Sequence, residues 1–278
     1  MNELLVKIRF LLPSLPRAEK EFAQALLEQP KEVVKRTLAA AAAETGSSEA
    51  SVIRFCKRMG FDGYSDLKRA IENAREEQEN VPETISREDD MDTIIRKVFQ
   101  SNVQTLQNTR VLANRGIEDA VRLLLQARSI HFFGVGDAWA ACQFSYIKFS
   151  KLGIPCSLQS DVMLQYVTAR NMKPGDVAGA VSYEGRSENI INVLKIAREN
   201  GASTIGITRR NKSPMLKYID IPLFISVSDL SMGWEKATRR VADQFILDIL
   251  YEGFVAKSGK NYDEQLKEVQ QAIDKNKL

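Results

Sequence analysis

The chain of 278 residues exceeds the usual size of a single hydrophobic core, so one large domain or two unequal ones is expected. With 44% hydrophobic and 27% charged residues and a formal net charge of +3, the composition is ordinary for a globular protein, and so balanced a charge names no partner. The longest apolar runs, Ala39 to Ala43 and Ile130 to Phe133, are far too short to span a membrane.

The N-terminal stretch "MNELLVKIRFLLPSLPRAEKEF" is interrupted by Lys7, Arg9 and two prolines and lacks a small-residue cleavage site. This predicts no signal peptide and a cytoplasmic location. Cys56, Cys142 and Cys156 match no metal or redox spacing. They read as small apolar fillers in a reducing compartment, and no metal or cofactor is expected.

From Met1 to about Ala74 the periodicity is helical, over Arg17 to Leu27, Leu38 to Glu44, Ser51 to Met59 and Ser65 to Ala74. From Thr37 to Met59, "TLAAAAAETGSSEASVIRFCKRM" breaks at Gly46, a residue that tolerates the left-handed conformation ending a helix. Ser48 then suits the N-cap of the next helix, with Glu49 against its positive end. Two helices across so tight a turn are laid out as a helix-turn-helix. The second has an apolar face, Val52, Phe55, Cys56 and Met59, for packing on the alanines. Ser51, Arg54, Lys57 and Arg58 fall largely on the other face. With Ser48 they are the candidate DNA-binding residues, the first for base edges and the basic ones for phosphates. A solvated helix face is the competing reading, and the small basic excess between Ser51 and Arg69 does not decide between them.

The charged run "REEQENVPETISREDDMD" from Arg75 to Asp92 is the expected domain boundary. Helical periodicity resumes over Thr93 to Val111, with Ile94, Ile95, Val98, Val103 and Leu106, a segment suited to linking domains or pairing with a second copy. The expected division is a helix-turn-helix domain at 1–77, a linker with a helix at 78–112, and a ligand-binding domain at 113–278.

From Ile117 onward short β-rich runs, "SIHFF", "IPCSLQ", "DVAGAVS", "STIGIT" and "IPLFISV", alternate with helices over Ile117 to Gln126, Ala138 to Leu152, Met163 to Asn171 and Glu188 to Asn200. A shorter helix is expected near Pro214 to Tyr218. Such alternation implies parallel strands with right-handed crossovers. The expected fold class is thus an all-α helix-turn-helix bundle followed by a three-layer α/β sandwich of flavodoxin or Rossmann type, closed by a long helix from Lys236 to Val255.

In such a sheet ligands gather beyond the carboxyl ends of the strands. Two glycine-containing strand ends lead into helices there, "GVGDA" (Gly134 to Ala138) and "SYEGRS" (Ser182 to Ser187), and helix N-termini attract anions. "GVGDAW" lacks the spaced third glycine of a dinucleotide fingerprint, which argues against NAD. Glu184 stands inside the second loop, where a carboxylate repels an anion. The single histidine, His131, lies within a strand and reads as a satisfied structural residue.

The segment from "FFGVGDAWAACQFSYIKFSKLGIP" through "MKPGDVAGAVSYEGRSENIINVLKIARENGASTIGITRRNKSPMLKYIDIPLFI" resembles a sugar isomerase (SIS) domain. A helix-turn-helix preceding it resembles the RpiR family of bacterial transcriptional regulators. The resemblance implies a homodimeric or tetrameric regulator of carbohydrate catabolism, a repressor among the expected kinds, that binds operator DNA and a phosphosugar. Where the family loop reads Ser-x-Ser-Gly-x-Thr, Ser182, Gly185 and Ser187 fit and Glu184 replaces the second serine. In the first loop Asp137 and Ala138, after Gly136, stand where a serine is usual. Lys236, Arg239 and Arg240 are candidate counter-charges. Glu184 and Asp137 together point to an amino or N-acyl sugar phosphate, or to an effector without phosphate. The alternative is a SIS-type sugar-phosphate isomerase with Glu184 as its base.

Overall fold

In the computed structural model, residues 3–73, 84–113, 115–227 and 238–275 are described. They form two compact units that divide at Leu112 and Ala113.

The first unit is helical: α1 (Glu3–Leu11), α2 (Arg17–Glu28), α3 (Pro30–Val34), α4 (Leu38–Glu44), α5 (Glu49–Met59), α6 (Tyr64–Asn73) and α7 (Met91–Leu112). Phe22 and Leu26 of α2, Val52, Phe55, Cys56 and Met59 of α5, Leu67 of α6 and the two buried alanines Ala41 and Ala42 of α4 share one core. Phe22 and Phe55 meet edge to face at 5.3 Å, a geometry that adds about 0.5–1.5 kcal/mol to simple burial. The α4 to α5 turn forms as its residues dictate: Gly46 takes φ +65°, and the Ser48 side chain accepts from the Ser51 amide at 3.2 Å.

The helix α7 departs from expectation. Its buried residues are mostly polar, Lys97, Ser101, Gln104, Thr105, Asn108 and Thr109, while Met91, Ile95, Val98 and Phe99 are exposed. Lys97 is tied at 2.8 Å to Asp89, just before the helix, and the apolar N-terminal stripe is left outside.

The second unit holds α8 (Arg115–Gln126), β1 (Ser129–Phe133), α9 (Asp137–Lys151), β2 (Cys156–Leu158), α10 (Val162–Asn171), β3 (Asp176–Val181), α11 (Glu188–Glu199), β4 (Ser203–Arg209) and β5 (Ile221–Ile225). A 3-10 turn covers Pro214–Tyr218, and α12 (Arg239–Lys257) and α13 (Asp263–Asp274) follow. All neighbouring strands are parallel, in the order β2-β1-β3-β4-β5. Helices α8, α9 and α12 pack on one face through Phe149, Ile246, Leu250 and Phe254. Helices α10 and α11 cover the other through Ala169, Ile190, Val193 and Leu194. After Asp176, its first residue, the central strand β3 is apolar because both faces are covered. None of the described helices is long and apolar enough to cross a membrane.

His131 is held at both ring nitrogens, by Ser129 at 2.8 Å and Ser157 at 2.7 Å. All three cysteines are free, and burial pushes the Cys56 thiol up to about 11.

Candidate functional site

In a sheet of this order, β1 and β3 send their following helices to opposite faces, which opens a crevice at their carboxyl ends. Both predicted loops lie there. Gly136, at φ +60°, leads into α9 at Asp137 and Ala138, and Ser187 leads into α11 without using its side chain as a cap. Gln165, fully buried on α10, bridges them: its amide donates to the Gly134 carbonyl at 2.9 Å and its oxygen accepts from Asn189 at 3.0 Å. Two helix N-termini are thereby locked beside one crevice, an arrangement suited to an anion.

Within the second loop, Gly185 takes φ +61°, and a side chain there would lie 2.3 Å from the Ser213 hydroxyl. Glu184 does not stand alone. Its carboxylate pairs with Arg209 at 2.5 Å, and Asn211 donates to its carbonyl at 3.1 Å. Arg209 stacks over Tyr183 at 5.5 Å, and Arg239 of α12 approaches the same ring at 5.8 Å. Arg239 also lies 3.8 Å from both Asp137 and Asp243. Burial pushes the Asp243 carboxyl up to about 7, with Arg239 opposing the shift and Asp137 adding to it.

Buried polar atoms without a protein hydrogen-bond partner concentrate at this edge. Among the described residues they include Trp139 Nε1 on α9, Asn189 Oδ1 on α11, Arg209 Nε at the end of β4, Asn211 Oδ1 and Ser213 Oγ in the loop that follows it, and Asp243 Oδ1 on α12. Such groups are costly in a folded chain, and their clustering marks a place where a polar ligand or solvent supplies partners.

Of the sequence-derived residues, Gly136, Asp137, Ala138, Ser182, Glu184, Gly185 and Ser187 flank this crevice. Arg240 is exposed, and Arg239, one residue earlier, is the cation that faces the acids. Lys236 lies outside the described residues. Arg209, Tyr183 and Asp243 were not foreseen. The strand register carried a signal for Arg209: Val181 lies opposite Ile207, so the next two residues bring Tyr183 and Arg209 together, and the Arg209 amide donates to the Tyr183 carbonyl at 2.9 Å.

In the helical unit α5 presents Ser48, Glu49, Ala50, Arg54 and Lys57 to solvent. One expectation about its exposed face needs correction. Ser51 is buried, its hydroxyl 2.9 Å from Ser48 Oγ and accepting from Arg54 Nη2 at 2.7 Å. Arg58 is exposed as expected, and it donates from Nε to Glu19 at 2.8 Å. The helical period gives the direction of a side chain, not what the facing helix sets against it.

The two units define a class of protein: a helix-turn-helix in one chain with a flavodoxin-ordered α/β domain. A model of the helix-turn-helix domain of the rpiR family matches residues 2–78, and one of the SIS domain matches residues 123–239. Over 95% of its length the chain is 32% identical to 93% of TTE0211, an uncharacterised HTH-type transcriptional regulator of Caldanaerobacter subterraneus. Over 98% of its length it is 30% identical to 96% of the HTH-type transcriptional regulator HexR of Pseudomonas aeruginosa. Its fold is shared by the Vibrio vulnificus NanR protein complexed with ManNAc-6P, with a TM-score of 0.61 and 23% identity over 98% of each chain. The chain belongs to the RpiR family of helix-turn-helix transcriptional regulators with a SIS domain.

Proposed function

We propose that this regulator controls carbohydrate genes and that its operator affinity is set by a sugar phosphate bound in the crevice between β1 and β3. The observation that carries the reading is the cluster of unpartnered buried polar groups beside two helix N-termini. In this reading Ser182, Gly185, Ser187 and the first amides of α11 hold the phosphate, with Gly136 to Ala138 as the opposite wall. Arg209 and Arg239 supply positive charge, so Glu184 no longer spoils the loop for an anion. Glu184 and Asp137 accept from hydroxyl or N–H groups of the sugar. The ManNAc-6P complex of NanR supports an N-acyl or amino sugar phosphate as the first class to test.

The DNA-binding domain in this reading spans 1–77, with Ser48, Arg54 and Lys57 meeting operator DNA, and the effector domain spans 113–278. Exposed Phe144 and Ile147 on α9 and Met163, Leu164 and Val167 on α10 support assembly as a homodimer or tetramer. Binding of the effector then favours one spacing of paired α5 helices, and DNA affinity changes by linkage. The proposed place of action is the cytoplasm, where DNA and sugar phosphates meet.

Titrating ManNAc-6P, glucosamine-6-phosphate and their unphosphorylated sugars into the protein, with a fluorescent duplex from upstream of its own gene, tests this. An effector at a hundredfold its Kd raises stability by about 2.7 kcal/mol. If no sugar phosphate alters either the melting temperature or DNA affinity, the effector assignment fails. The isomerase reading is disfavoured because Arg209 engages the carboxylate that a base must offer to the substrate. Turnover of a sugar phosphate that Glu184→Gln abolishes would restore it.

A further inference from the structure

Glu19 occupies a core position of α2. Positions 19, 22, 23 and 26 share the buried face of that helix, and the other three are Phe22, Ala23 and Leu26. A carboxylate in such a place is costly unless charged partners compensate it. Its side chain is only 4% exposed, and both partners come from α5. Arg58 donates from Nε to Oε2 at 2.8 Å and reaches Oε1 from Nη2 at 3.5 Å. The Nε of Arg54 lies 3.9 Å from Oε1.

Arg54 is the more telling partner. Its side chain is 61% exposed on the solvent face of α5, yet its guanidinium donates to the buried hydroxyl of Ser51 at 2.7 Å and lies within ion-pair range of Glu19 at 3.9 Å. Ser51 is in turn fixed by Ser48, the N-cap. A free arginine loses rotamer entropy when it docks on DNA; one already aligned loses less, and its planar fork keeps its direction.

We infer that Glu19 is a positioning residue for operator recognition: with Ser51 it aligns Arg54 for a base edge in the major groove. Glu19 touches no base itself; it acts through Arg54. The inference rests on the reading of α5 as the helix that meets DNA. The rival role is a structural pin, in which Glu19 only ties α5 to α2 through Arg58.

The test uses the full-length protein, a fluorescent duplex selected by the wild type from a randomised pool, and a scrambled duplex of the same composition. Glu19→Gln is expected to lower the ratio of selected to scrambled affinity about tenfold, the size of one good arginine-to-base contact. Binding of the scrambled duplex stays equal or tightens, because a negative charge beside the phosphates has gone. Repeating the selection places the lost preference at the same base pair that Arg54→Ala relaxes. On an Arg54→Ala background, Glu19→Gln causes no further loss of ratio.

An unchanged ratio, equal weakening on both duplexes, or a full second loss on the Arg54→Ala background overturns the inference and leaves the structural pin. If Arg54→Ala itself leaves the ratio unchanged, the reading of α5 and the inference fall together. Should Glu19→Gln lose its helical circular dichroism, Ser51→Ala decides. It removes the other hold on Arg54 and must relax the same base pair, and an unchanged preference overturns the inference.

Discussion

Helix α5 and the crevice beyond the sheet both set arginines against carboxylates, and they differ in the burial of the acid. Glu19 is 4% exposed and Glu184 is 46% exposed. A buried carboxylate has no alternative in water, so its arginines are held firmly; an exposed pair contributes about 0–1 kcal/mol and yields readily to a competing anion. The unpartnered polar groups divide the same way. None of those found lies between α2 and α6, whereas six atoms gather around the strand ends. One region has its buried polar groups partnered within the chain, and the other leaves several of them without a partner.

The largest expected effect comes from Gly185→Ala. A side chain there meets Ser213 at a backbone conformation that costs a non-glycine residue about 1–3 kcal/mol. Stabilisation by a sugar phosphate should be lost while binding of a selected DNA duplex persists; loss of both would mean that the two regions do not behave separately. This is checked by thermal melts with and without ligand beside DNA anisotropy.

Asp243→Asn is expected to act more mildly and through pH. With its folded pKa raised to about 7 from the ordinary 3.8, the Asp243 contribution is fully present below the unfolded value and lost as pH rises through 7. The asparagine variant should therefore melt higher than the wild type at pH 8 and show a flatter dependence between pH 4 and 7, by about 2–4 °C for each kcal/mol recovered. A parallel shift at every pH would remove the titration argument.

The smallest effect is expected from Glu184→Gln, which frees Arg209 from its exposed partner. Affinity for inorganic phosphate should rise by up to about fivefold, no more than the worth of an exposed pair. Calorimetry with phosphate and then with ManNAc-6P sharpens the comparison: a gain for phosphate and a loss for the sugar phosphate would show that Glu184 also touches the sugar.

Most elements were legible because their signals are local. The alternation of short apolar runs with helical periods marked all five strands, and Gly46 with Ser48 marked the turn before α5. The missed helix α13 carries Leu266, Val269 and Ile273 at helical spacing and buries none of its residues; its period was present in the sequence and was passed over. The stripe of Ile95 and Val98 on α7 was legible as helical but not as exposed, since a period states which residues share a face and not which face is covered.

The same distinction runs through the sites. Contiguous residues determined the loop itself: Ser182, Glu184, Gly185 and Ser187 lie between a buried strand and a helix start, and local geometry suffices to place them together. Only the tertiary structure brought Arg209 from the next strand, Arg239 from α12, and Glu19 from α2 to their partners. Those pairings span 25 to more than 100 positions of chain, and the physical reason they escape a linear reading is that charge attracts through space, so a side chain's partner is decided by the packing that brings distant segments side by side.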